Sequence, residues 1–236
     1  MHPLTRRRFH AVTLGGIAAL SSGVPRAASA QDAGAFAGLL KAPHRRPGNV
    51  ARDPYRHPAE TLAFFGVRPD STVVEILPGS AGYYMEILAP YLRERGRYVA
   101  ASRDATAPAN YLADHQRLLE RLRAEPSLYD RVQVTEFLAD RHRIAPDGSA
   151  DFVLTFRNLH NWIERGEVDG ALRSFHRALK PGATLGVVDH RGRTDQSQDA
   201  QMKAGYVRQD VAVEDIALRT GSTAAQVQKY IDEYRA

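Results

Sequence analysis

Between residues 58 and 191 the chain alternates between two hydrophobic rhythms. Short, nearly continuous apolar runs occur at residues 71–77 (STVVEIL), 97–102 (RYVAAS), 131–138 (RVQVTEFL), 149–162 (SADFVLTFRNLHNW, passing into a loop) and 183–191 (ATLGVVDHR). Each predicts a buried strand. Between them lie stretches with a helical period. Residues 82–96 place Tyr84, Ile87, Leu88, Tyr91 and Leu92 on one face before a stop at Gly96. Residues 109–126 and 167–182 read the same way, with proline or proline-glycine stops, and residues 58–65 form a short helix ended by Gly66. Strands that are apolar throughout need cover on both faces, which helices between parallel strands supply. The expected fold class is α/β: a doubly wound, mainly parallel sheet with right-handed crossovers.

The flanks follow other rules. Residues 1–30 carry Arg6, Arg7 and Arg8, then a moderately apolar run at 11–20, then the small-residue site Ala28-Ser29-Ala30. This pattern predicts a cleaved export signal, and Thr5-Arg6-Arg7-Arg8-Phe9 resembles the twin-arginine motif. The expected location is therefore exported and periplasmic. The run is too short and glycine-rich to hold a bilayer, so no stable membrane span is expected after cleavage. Residues 31–57 are rich in Pro, Gly, Arg and His and predict an extended N-terminal arm. Residues 192–236 predict a helical tail packed on the domain at 58–191.

Charge and cysteine content narrow the function. The chain has 32 basic and 27 acidic residues; four of the arginines and none of the acids lie in 1–30, leaving 28 against 27. A balanced mature chain gives no case for nucleic-acid binding. There is no cysteine, which excludes disulfides, thiolate catalysis and Cys-zinc sites. His44, His57, His160 and His190 lack i,i+4 spacing or an H-E-x-x-H partner, so no metal site is expected.

The turn after the first strand is Pro78-Gly79-Ser80-Ala81-Gly82, with Glu75 near the strand end. Glycines let backbone approach a ligand, and free N–H groups there favour anions. With "EILPGSAG" at 75–82, "RALKPGATLGVVDH" at 177–190 and "SADFVLTFRNLHNW", the chain resembles the class I S-adenosylmethionine-dependent methyltransferases, over roughly 58–191. More narrowly it resembles a group of exported bacterial proteins described as predicted methyltransferases. The resemblance implies a Rossmann-like domain with S-adenosyl-L-methionine as cofactor. It implies contacts from Glu75, Pro78, Gly79, Ser80, Ala81 and Gly82. Leu77 and Ala81 stand where that family commonly has glycine.

Two departures from the family pattern stand out. The acid that binds the cofactor ribose normally ends the second strand; here that strand ends YVAAS and the nearest acid is Asp104. Asp140 is the candidate for the adenine side, and Arg157 with Asn158 for the cofactor carboxylate. The family's two last strands also have no counterpart after His190. An uncovered sheet edge invites pairing, so helical cover or a homodimer is expected. Part of the tail, VEDIALRTGSTAAQVQKYI, resembles a regulator helix-turn-helix, but packing is the favoured reading.

Methyl transfer to a small-molecule acceptor needs alignment and a base. His160 and His190 follow the fourth and fifth strands, and Tyr55 in the arm could face the acceptor; these are the catalytic candidates. Two other readings stay open. The fold could have lost methyl transfer and become a ligand-binding protein or a different enzyme. It could also be an assembly partner that uses its sheet edge.

Overall fold

The computed structural model describes residues 17–20, 30–103, 106–138 and 143–220. The chain divides into two compact units, residues 26–138 and residues 1–25 with 139–236. The N-terminal stretch contributes β1 (Ile17–Leu20). The 26–138 unit then runs α1 (Ala30–Leu40), α2 (Pro47–Val50), α3 (Asp53–Arg56), α4 (Pro58–Phe65), β2 (Thr72–Ile76), α5 (Met85–Leu92), β3 (Arg97–Ser102), α6 (Ala109–Ala124), α7 (Pro126–Tyr129) and β4 (Gln133–Glu136). The rest runs β5 (Ala150–Phe156), α8 (Leu159–Arg165), α9 (Val168–Ala178), β6 (Leu179–Val188), β7 (His190–Arg191), α10 (Gln198–Met202), β8 (Tyr206–Val207) and α11 (Gln209–Thr220).

Within the 26–138 unit, β2 pairs in parallel with β3, and β3 in parallel with β4. Val73, Val74 and Ile76 of β2 are buried, as are Ala100 and Ala101 of β3 and Ile87, Leu88 and Leu92 of α5. In the other unit β5 pairs in parallel with β6, and Val153, Leu154 and Leu185 form its buried centre. Trp162 belongs to that core, 5.5 Å from the Phe175 ring centroid. Strands joined by helices and paired in parallel give the Rossmann-like, doubly wound α/β fold with a mainly parallel sheet.

Three expectations change. The stretch at 31–57 is not extended: it forms α1, α2 and α3, with Phe36, Arg45 and Asn49 buried. Pro47 and Pro54 stand in the first turn of helices instead of breaking them, because a first-turn residue needs no N–H partner. The Leu-Lys-Pro-Gly turn at 179–182 does not end the helix. α9 stops at Ala178, and residues 179–182 already belong to β6, which shifts register against β5 between Ala150 and Phe152. Third, among the described residues the edge of β6 is taken by β1, a strand from the N-terminal stretch. β1 pairs there antiparallel, Ile17 opposite Val188 and Leu20 opposite Leu185. A strand edge has unpaired backbone groups, and a short apolar run satisfies them. The described part of the tail is α10, β8 and α11, and β8 returns beside β7 as a two-stranded parallel pair. Residues 221–236, which hold the second half of the helix-turn-helix resemblance, lie outside the described residues.

Candidate functional site

The turn after β2 is built by backbone conformation. Leu77, Gly79 and Gly82 all have positive φ, at 53, 65 and 54°. Leu77 is a non-glycine residue in the left-handed region, at a cost of about 1–2 kcal/mol. At Gly82 a Cβ would stand 2.6 Å from the Met85 methyl and 2.9 Å from Arg121 Nη1, so both side-chain ends would have to move in addition to the strain of its positive φ. The turn occupies residues 79–84, so α5 starts at Met85 and not at Gly82.

This turn already grips a carboxylate. The Ser80 backbone N–H donates to Asp114 Oδ2 at 3.1 Å, and the Ser80 hydroxyl donates to Asp114 Oδ1 at 2.5 Å. Arg121 Nη1 and Asn49 Nδ2 both donate to the Ala81 carbonyl, at 2.7 and 2.9 Å. Arg121 also pairs with Glu86, which is completely buried, and Arg45 approaches the same carboxylate at 3.5 Å. Arg45 then forks onto Asp53 at 2.7 and 3.0 Å, and Tyr83 donates to Asp53 at 2.7 Å. The 31–57 stretch is thereby bonded to the glycine turn through buried charges.

Glu75 lies inside the sheet, 3 % exposed, and accepts from the Tyr98 hydroxyl at 2.6 Å. Burial raises its pKa to about 7, against the lowering effects of the Tyr98 bond and the Arg56 charge. Burial, with the Glu75 charge next, pushes the Tyr98 hydroxyl well up. β3 ends at Ser102, whose hydroxyl bonds His115 Nδ1 at 2.9 Å. Pro78 lies half-buried in the turn. Tyr55 is 85 % exposed on α3 and is not enclosed.

The second cluster lies where β5 and β6 end. Arg157 has φ 61° and its N–H donates to the Val188 carbonyl at 2.6 Å. Asn158 spends its side-chain amide on Thr155 Oγ1 and the Phe156 carbonyl. Asp189, 2 % exposed, accepts the backbone N–H of His160 at 3.1 Å and of His190 at 2.8 Å. It also faces His160 Nδ1 at 3.0 and 3.1 Å. That carboxylate holds the proton on Nδ1 and turns Nε2 into the acceptor, which takes the Asn161 amide at 2.8 Å. The His190 ring packs on Tyr206 at 5.3 Å. Gly205 lies beside His160 and Arg157: a Cβ there would be 3.6 Å from His160 Nε2 and 3.8 Å from Arg157 Nη2.

The sequence candidates thus separate by unit. Glu75, Pro78, Gly79, Ser80, Ala81, Gly82 and Tyr55 belong to one, and Arg157, Asn158, His160 and His190 to the other. Asp104 and Asp140 lie outside the described residues. Sequence reasoning assigned no role to Asp114, Asn49, Arg121 or Gly205, because each meets the site from a distant point of the chain. It placed Asp189 at a strand end without seeing that it orients His160. Among the described residues, no group of three or more His, Asp or Glu could hold a metal, and no helix is long and apolar enough to cross a membrane.

No family model matches the chain, and no curated protein matches it in sequence. Solved structures do match in shape. The chain is similar to a SAM-dependent methyltransferase from Aquifex aeolicus: 20 % identity over 75 % of this chain and 84 % of that one, with a TM-score of 0.56. It also resembles the YcgJ protein from Bacillus subtilis, at 15 % identity, 76 and 83 % coverage and a TM-score of 0.49. A SAM-dependent methyltransferase from Methanosarcina mazei matches at 19 % identity, 59 and 58 % coverage and a TM-score of 0.42. The fold rests on the Aquifex match.

Proposed function

We propose that this chain binds S-adenosyl-L-methionine and transfers its methyl group to a small-molecule acceptor outside the cytoplasm. The observation that carries the reading is the grip of the glycine turn on a carboxylate. The Ser80 N–H and hydroxyl hold Asp114, which is the donor chemistry that the carboxylate of an amino-acid-bearing cofactor requires once it displaces Asp114. Gly79 and its neighbours let such a ligand approach backbone. The sulfonium, when bound, supplies an activated methyl group. The remaining task is alignment and removal of one proton. The sequence candidate for the base is His160, in the unit that does not hold the glycine turn. Asp189 fixes its tautomer, Nε2 carries the lone pair, and Asn161 must release that nitrogen for the proton to arrive. Residues 1–30 supply the export signal.

One observation favours a second reading, a binding protein without methyl transfer. β3 closes on Ser102 bonded to His115, where a carboxylate for ribose hydroxyls is expected. Thermal shift separates the cofactor from other nucleotides. S-adenosylhomocysteine should raise the melting temperature by several degrees while NAD does not; equal response, or none, contradicts the proposal. Release of S-adenosylhomocysteine from labelled donor on adding candidate acceptors then decides between transfer and binding.

A further inference from the structure

At the other end of the strands from the glycine turn, the 26–138 unit has an open cleft of about 230 Å³. Its apolar part includes Leu92, Tyr98 and Leu128, and its polar part carries Arg93, Arg95, Arg97 and Arg131 with Glu94 as the lining acid. Two of the four arginines are fixed by neighbours. Arg93 forks onto Asp130 at 3.1 and 3.0 Å and bonds Glu94 at 2.7 Å. Arg131 donates to the Arg93 carbonyl at 2.7 Å. Among the described residues, no carboxylate pairs with Arg95 or Arg97, and both are exposed.

The backbone between those two cannot relax. A Cβ on Gly96 would stand 2.5 Å from the Ser71 carbonyl oxygen and 2.7 Å from that of Pro69. The Gly96 N–H also closes on Leu92 and the Arg97 N–H on Ser71, at 2.8 and 2.9 Å. Arg95 and Arg97 therefore flank a pinned turn with their charges uncompensated. A concave wall with apolar surface behind it focuses such a field. Guanidinium forks match phosphate oxygens. The volume equals that of about eight waters, room for more than one phosphate group.

We infer that this cleft is an anion-binding site for a phosphate-bearing small molecule, separate from the glycine turn. It does not depend on methyl transfer. Calorimetry of the full chain with inorganic pyrophosphate and with ADP tests it and distinguishes the source. Pyrophosphate should bind, more weakly at higher salt, and Arg95→Ser with Arg97→Ser should weaken it at least tenfold. Arg117→Ser, an exposed arginine elsewhere, should leave it unchanged. Tighter ADP binding would point to a nucleotide that uses the apolar floor; equal binding would point to the phosphates alone. An absence of pyrophosphate heat, or a double variant that stays folded by circular dichroism and binds as before, overturns the inference. Unchanged S-adenosylhomocysteine binding in the double variant keeps its failure apart from that of the cofactor reading.

Discussion

His160 and Asp189 are bonded twice: the buried carboxylate takes the backbone N–H at 3.1 Å and faces ring Nδ1 at 3.0 Å. It accepts the His190 N–H as well. One side chain therefore fixes both the ring and the two chain segments that meet at the ends of β5 and β6. Asp189→Asn presents an amide donor to these donors. It should cost about 1–3 kcal/mol in urea unfolding. Nitrogen NMR of the wild-type ring should find the proton on Nδ1. An unchanged midpoint with the proton on Nε2 would contradict this geometry.

Glu75 predicts an unusual pH response. Its pKa is raised from 4.5 to about 7 by burial, so the folded chain keeps a proton that the unfolded chain releases in between. Stability should fall as pH rises through that window, by about 3 kcal/mol in total, and level off above it. Urea midpoints at pH 5 and pH 8 measure this. Glu75→Gln, which still accepts from Tyr98, should flatten the profile and be the more stable chain at pH 8.

Leu77 is strained where Leu154 is not. Leu154 is fully buried, and Leu154→Ala should cost about 2–5 kcal/mol. Leu77→Gly loses a half-buried side chain but releases the positive φ of 53°. The two effects oppose each other, so its unfolding free energy should change by less than about 1 kcal/mol. A loss as large as that of Leu154→Ala would show that the turn does not store strain.

The buried Glu86 sits between Arg45 and Arg121. Glu86→Ala leaves two guanidinium groups without their shared carboxylate and should cost about 3–5 kcal/mol. Because Arg121 also holds the Ala81 carbonyl, ligand affinity at the glycine turn should weaken too. Retained affinity in a destabilised variant would separate the charge network from the turn.

The strands and helices of the 58–191 stretch were legible because buried parallel strands and amphipathic helices have distinct periods. The glycine turn was legible because its conformation demands particular residues. Other features were hidden for physical reasons. Pro47 and Pro54 read as extended chain, yet both stand in the first turn of short helices stabilised by partners about thirty to forty residues away, such as Glu86 for Arg45. Ile17–Leu20 read only as leader, because antiparallel pairing with β6 leaves no local pattern in four residues. Asp114 shows no motif; only the fold of α6 brings it to Ser80. Likewise the tail reaches His160 through Gly205, a single glycine in a polar stretch.

The central claim is that the glycine turn holds S-adenosyl-L-methionine. Calorimetry of the full chain with S-adenosylmethionine and S-adenosylhomocysteine tests it most directly. Micromolar binding that is lost in Gly79→Arg, and kept in His160→Ala, is the predicted result. No heat from a chain that is folded by circular dichroism would contradict it, and would leave the turn as a scaffold gripping only its own Asp114.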